Sequence, residues 1–193
     1  MSGKPWPDYI IQSFTIANRK AAEPTANESL YYGPYTRILY EILGLKGPFE
    51  VSQQFSDTRD AINLVLLVTV QMDEHPIFFI EVKLPGALNM GSKWAQADSQ
   101  MRDRYRALKD GLITQSLPGV SAFGTRMAFY HYDRDTNRVE PPPILRDPEI
   151  LNDVAPKDRW DADLLTQDGA ERFRQVVERA RDAALAALAA APA

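Results

Sequence analysis

Ile77-Phe78-Phe79-Ile80-Glu81-Val82-Lys83-Leu84 is the stretch on which the fold turns. Its residues are apolar, aromatic and β-branched, and Pro76 and Pro85-Gly86 bound it, so it predicts a buried β-strand. A strand has period two. Glu81 and Lys83 therefore share one face, and Ile80, Val82 and Leu84 share the other. Burying a carboxylate and an ammonium costs several kcal/mol per ion unless each finds partners. Two explanations fit the spacing alone. The pair is a salt bridge at a strand end, or it belongs to a metal-dependent hydrolytic site.

Upstream, Ala61 to Val70 is a second strongly β-forming run, and Met72-Asp73-Glu74-His75 makes the return turn. Two buried strands joined this tightly read as an antiparallel hairpin. His75 at its tip reads as a solvated turn histidine. Phe49, Val51, Gln53 and Phe55 alternate with polar residues as a half-exposed strand does, and Ser56 to Asp60 is a polar turn. Asn27 or Ser29 caps a helix that runs to about Leu43, with a fresh start at Gly33-Pro34 and an end at Gly44. Glu28 opens that helix, where an acid is favoured by the helix dipole whatever its function. Tyr9-Ile10-Ile11 and Phe14-Thr15-Ile16 read as a short strand or a packed arm.

Downstream, a helix is predicted over about 92–112. Ala95, Met101, Tyr105, Leu108 and Leu112 supply its inner face. Gln96, Gln100 and Asp103 occupy neighbouring turns. Lys93, Arg102, Arg104, Arg106 and Lys109 make it the most basic helix of the chain, which is also what an ordinary solvated face looks like. Gly119 to Tyr132 reads as one strand, and Arg138-Val139-Glu140 as a short returning one. From Pro141 to Gln167 the chain is rich in Pro and Asp with scattered apolar anchors, a long irregular segment of a kind that is often functional. Asp168-Gly169 opens a final helix to about Ala190.

The 193 residues suit one domain with decorated termini. The divisions expected are an N-terminal arm (1–26), a core (27–145) and an irregular segment with a C-terminal helix packed on the core (146–193). The fold class expected is mixed α/β, with a central mixed sheet that contains an antiparallel hairpin and is flanked by helices. There is no cysteine, which excludes disulfides and thiolate metal sites and suits a reducing compartment. No stretch is apolar enough to span a membrane. The expectation is an intracellular protein, cytoplasmic or nuclear, without a membrane partner. A net charge of −4 does not advertise a polyanion partner, so such a partner would need local basic patches or metal ions.

In order, the elements run helix, strand, strand, strand, helix, strand. An acid opens the first helix, an Asp/Asn-bearing turn and strand follow, Glu-x-Lys ends the central strand, and a Gln-rich basic helix comes next. Phosphodiester hydrolysis uses such parts. A divalent metal held by carboxylate oxygens polarises the phosphate and acidifies water. A lysine beside it orients that water or offsets developing charge. Glu81 offers a ligand and Lys83 a cation, the Val82 carbonyl between them is a further candidate ligand, and the second carboxylate is expected from the neighbouring hairpin strand.

At this point the chain resembles the PD-(D/E)XK nuclease superfamily, the restriction-endonuclease-like fold with an αβββαβ core, over roughly 27–132. The resemblance rests on Glu28, on the Asp/Asn hairpin strand, on Glu81-Val82-Lys83 and on Gln96 to Tyr105. Four further blocks look like a group of fungal proteins with this fold: Phe78 to Lys83, Ala97-Asp98-Ser99-Gln100-Met101-Arg102, Gly124-Thr125-Arg126 and Asp158-Arg159-Trp160. The superfamily carries an Asp near the start of the strand before Glu-x-Lys. Asp60 and Asn63 both compete for that place here, and Asn63 would put an amide where the family has an acid.

The resemblance implies a nuclease using Mg²⁺ or Mn²⁺. Glu81 and Asp60 (or Asn63) would hold the metal, with Glu28 supporting a second metal or its waters. Lys83 would position water. Gln96 and Gln100, with Lys93, Arg102, Arg104 and Arg106, would approach the backbone of a nucleic acid, DNA being the first expectation. A homodimer is compatible with this reading. The alternatives are a nuclease-like domain that binds without cutting, and a plain scaffold whose Glu81–Lys83 pair is structural.

Overall fold

The computed structural model describes residues 3–56, 65–89, 91–144 and 157–190. It is a mixed α/β fold with a central sheet flanked by helices. The elements are α1 (Asp8–Lys20), α2 (Tyr32–Leu43), β1 (Phe49–Ser56), β2 (Val65–Met72), β3 (His75–Lys83), α3 (Gly91–Leu108), β4 (Ser116–Phe123), β5 (Arg126–Asp133), β6 (Arg138–Glu140), β7 (Ala162–Asp163) and α4 (Gln167–Ala190). The sheet order is β1-β2-β3-β4-β5-β6, with β7 also on β5. Among the described residues only β3 and β4 run parallel, and α3 makes the crossover that parallel neighbours require.

The expected hairpin is β2–β3. Asp73 and Glu74 turn it with positive φ at both positions, as a two-residue hairpin turn demands. Pro76 lies within β3 rather than before it. The pairing shifts register there, passing from Val70 opposite Phe78 to Gln71 opposite Pro76, so the proline falls at an irregularity near the strand's start. His75 is tied back, with its Nδ1 2.8 Å from the Gly111 carbonyl oxygen.

The two faces of the sheet bury different cores. Phe78, Ile80, Val82, Val120 and Ala122 pack with α1, α2 and α4. Phe79, Leu117, Phe123, Tyr130 and Trp160 pack with α3. Glu81 and Lys83 have the parity of Phe79, so β3 aims them at the α3 side.

Two readings of the sequence are corrected. Residues 8–20, expected as a short strand or a packed arm, form a helix rather than a strand. Ile10, Phe14 and Ala17 recur at helical spacing and are buried, and Pro7 precedes the first turn, where a missing N–H costs nothing. The single strand expected over 119–132 is a hairpin, β4 and β5, turning at Gly124-Thr125. Gly124 sits at φ +62°, and its N–H donates to the Lys83 carbonyl at 2.9 Å. Tyr35 donates its hydroxyl to the Gly124 carbonyl at 2.7 Å. The turn thereby clamps the end of β3.

A Cβ at Gly124 would lie 2.6 Å from Pro85 Cγ, and the positive φ strains any L side chain. Gly124→Ala should lower the unfolding free energy by about 1–3 kcal/mol, read from urea melts. An unchanged midpoint would mean that the turn relaxes freely. Among the described residues, no helix is long and apolar enough to cross a membrane.

Candidate functional site

The site is built where β3 ends. The Glu81 side chain is fully buried, and among the described residues neither carboxylate oxygen has a hydrogen-bond partner. Lys83 Nζ stands 3.9 Å from Oε1 and Arg104 Nε 3.9 Å from Oε2, in ion-pair range but beyond hydrogen bonding. Burial pushes the Glu81 carboxyl up to about 7, while Lys83 and Arg104 pull it back. The same burial pushes the Lys83 ammonium down, with Glu81 and then Glu28 opposing. Ser121 of β4 is the register partner of Glu81 and is itself buried, its Oγ accepting from Trp160 Nε1 at 3.4 Å.

Glu28 joins the site from a distant part of the chain. It opens a 3-10 turn (Glu28–Tyr31) that Asn27 caps by accepting from the Ser29 N–H at 3.0 Å. Burial raises the Glu28 carboxyl, and its own and the Leu84 backbone N–H, with Lys83 and Lys93, hold it back. Glu28 and Glu81 thus flank Lys83.

Helix α3 brings a stripe of residues. Lys93, Gln96, Gln100 and Arg104 are spaced by three, four and four, which places them on one side of a helix. Lys93 acts on Glu28 and Lys83 at one end and Arg104 on Glu81 at the other. Lys93 donates to Gln96 Oε1 at 3.2 Å. Gln100 Oε1 is buried and, among the described residues, has no hydrogen-bond partner. The other two arginines expected at a nucleic acid stand elsewhere. Arg102 turns into the fold, donating to Asp98 and to the Val139 and Pro141 carbonyls, which engages four of its five N–H donors. Arg106 is exposed and pairs with Asp103 on the outer surface.

Asp60 and Asn63 lie outside the described residues. They belong to the segment 57–64, which joins the paired ends of β1 and β2 at Ser56 and Val65. Leu66 of β2 pairs with Val82. Val82 points to the opposite face and is buried there, with its backbone held between β2 and β4. Among the described residues, no three acids or histidines gather around one point.

Mg²⁺ and Mn²⁺ take hard oxygen ligands. The Glu81 oxygens, unpartnered among the described residues, and the Glu28 carboxylate on the other side of Lys83 are donors of that type, so the residues fit such an ion in donor chemistry.

One network was not visible in the sequence. Asp98 of α3, 2% exposed, accepts from Arg102 Nε at 3.0 Å, Arg159 Nη1 at 2.7 Å, Tyr130 Oη at 3.1 Å and the Ile144 N–H at 3.1 Å. Arg126 donates to the Trp160 carbonyl at 2.7 Å. The separate blocks around Asp98, Arg126 and Arg159-Trp160 therefore meet in space beside the site helix. Their charged residues were the signal, but nothing in their spacing said which would pair. Compared with family models, curated proteins and solved structures, the chain matches none.

Proposed function

We propose that this chain is a metal-dependent nuclease of the PD-(D/E)XK type. The observation that carries the proposal is Glu81: a fully buried carboxylate that, among the described residues, has no hydrogen-bond partner on either oxygen and is flanked by Lys83 and Arg104. A purely structural acid this deep would be expected to have its lone pairs satisfied. Glu81 and Glu28, together with the Asp60 or Asn63 side chain, would hold Mg²⁺ or Mn²⁺. When bound, the metal supplies a polarised phosphate and an acidified water. Lys83 orients that water and stays partly shielded from solvent. Arg104 and Lys93 place positive charge beside the scissile phosphate, and Gln96 and Gln100 offer amides to the backbone. Arg106 lies on the outer surface, where it would meet only a strand that wraps the helix.

A second reading draws on a specific feature. Two cations already sit about one ion-pair distance from Glu81, so the carboxylate has its countercharge from within the fold. With Asn63 in the acid's place, the domain would bind a nucleic acid or a protein without cutting it.

The deciding experiment incubates purified protein with Mg²⁺ or Mn²⁺ and single- and double-stranded DNA and RNA. The nuclease reading expects cleavage of at least one substrate and a loss of at least about a hundredfold in Lys83→Ala. Intact substrates throughout, with no metal-binding heat that depends on Glu81 in calorimetry, would establish the non-cutting reading instead. Asn63→Asp separates them further, since it should raise metal affinity only if residue 63 serves as a ligand.

A further inference from the structure

We infer that a second, separate site lies on the face of the sheet opposite Glu81: a basic cleft between α4, β4 and β5 that holds a phosphate monoester carrying a flat ring, the chemistry of a nucleoside monophosphate. The placement follows from strand parity. Along β5, Tyr130 and Tyr132 belong to the core under α3, while Phe129 packs with the core under α4, and His131 shares its parity. The cleft has a volume of about 390 Å³, within the range of small-molecule pockets and sized for one ring with one phosphate.

Its α4 wall is a single helical stripe. Arg172, Val176 and Arg179 follow at i, i+4 and i+7, so the two guanidinium stems emerge about 10 Å apart along the axis with an apolar residue between them. Phe129 faces this stripe, and the Arg172 guanidinium lies over its ring, 4.3 Å from the centroid. Arg172 also pairs with Asp161 at 3.2 Å, but both partners are half-exposed, and such a pair is held weakly enough to exchange. Arg179 is exposed and makes no hydrogen bond or ion pair among the described residues. Asp182, three residues on from it, pairs with Arg181 at 2.9 Å. His131 and the Ser116 hydroxyl complete the rim.

Among the described residues, no Asp or Glu lines this cleft, although the chain as a whole carries a net charge of −4. The adjoining groove, which shares Phe129, His131 and Arg172, carries Asp161 and Glu140, so the net positive end of the cleft is the one at Arg179. Guanidinium groups take phosphate oxygens in a bidentate manner and also stack on flat rings. An apolar waist of Val176 and Phe129 between two arginines therefore suits a ligand with a ring in the middle and an anion at one end. A bare anion would leave the waist unused, and an uncharged ring would leave Arg179 unused.

The inference does not depend on the nuclease reading. The test titrates the full, isotope-labelled chain with AMP, adenosine and inorganic phosphate, followed by amide NMR shifts. The expected result is saturable binding of AMP that moves Phe129, His131 and Val176, with phosphate and adenosine each at least about tenfold weaker. Arg172→Ala/Arg179→Ala should weaken AMP at least about tenfold, and Glu81→Gln should leave AMP binding unchanged. Both arginines are exposed on a helix and alanine is a good helix former, so the variant keeps its fold; Arg179→Glu gives an independent arm with the same expected loss. No saturation, shifts confined to other regions, phosphate binding as tightly as AMP, or Arg179→Glu binding like the parent would each overturn the assignment.

Discussion

Asp98→Ala should lower the unfolding free energy by about 3–5 kcal/mol, the largest single loss expected in this chain outside the apolar core. Asp98 is buried on α3 and is the common acceptor for two guanidinium groups, a tyrosine hydroxyl and a backbone amide. Removing the carboxylate leaves Arg102 and Arg159, both largely buried, facing each other without the anion between them. Two like charges are then stranded in a medium that screens poorly, which costs far more than the net worth of the ion pairs. Asp98→Asn keeps an acceptor oxygen but loses the charge, so it should fall between parent and alanine. Asp103→Ala on the same helix removes only a surface pair with Arg106 and should change little. Urea melts of the three variants give the comparison. A loss below about 1 kcal/mol for Asp98→Ala would mean that Arg102 and Arg159 reach water instead.

The second large effect is a pH dependence carried by Glu81. Its carboxyl ionises near 4.5 in the unfolded chain and near 7 in the folded one, because burial disfavours the charged form. Below pH 4.5 both states are protonated, and the stability contributed by the neutral acid is fully present. As pH rises from about 4.5 to about 7 the unfolded chain loses its proton first, so stability falls, by about 3 kcal/mol in total. Above pH 7 both states are ionised and the fall stops. Glu28 is shifted in the same direction and adds to the slope. Lys83 is shifted down, and its effect has the opposite sign: stability rises with pH up to 10.5, where the unfolded chain also loses that proton. Replacing Glu81 tells the two contributions apart. Metal-free urea melts between pH 5 and 8 should show the acid-side slope, and Glu81→Gln should remove most of it while stabilising the fold at pH 8. A flat profile for the parent would show that Glu81 is hydrated or otherwise satisfied in solution.

Much of the scaffold was legible in the sequence because the signals are local. The β2–β3 hairpin follows from two apolar β-forming runs and a four-residue polar turn. Helix α3 follows from its spacing, and so does the placing of Gln96 and Gln100 on neighbouring turns. The misreadings are equally physical. The run 119–132 is continuous in β-propensity, and only the backbone at Gly124 divides it, through a positive φ and a hydrogen bond to Lys83 that comes from another strand. Residues 8–20 carry both a β-like cluster, Tyr9-Ile10-Ile11, and a helical repeat, Ile10, Phe14, Ala17. Burial against α2 selects the second.

By itself, the sequence determined that Glu81 and Lys83 share a face of a buried strand, because strand period depends only on backbone geometry. It also determined that a basic helix follows them. Which charges meet was decided by the tertiary structure. Arg104 reaches Glu81, Arg102 is drawn inward to Asp98, and Arg159, 61 residues on from Asp98, completes that network. Arg102 and Arg104 are two residues apart on one helix, so a rotation of about 200° about its axis separates a site residue from a structural one. That rotation is set by packing against the sheet, where Phe79 and Tyr105 meet edge to face with centroids 5.0 Å apart. Charge carries no record of its partner in a linear chain; only the packed core, by fixing which side of α3 faces the strand, assigns one.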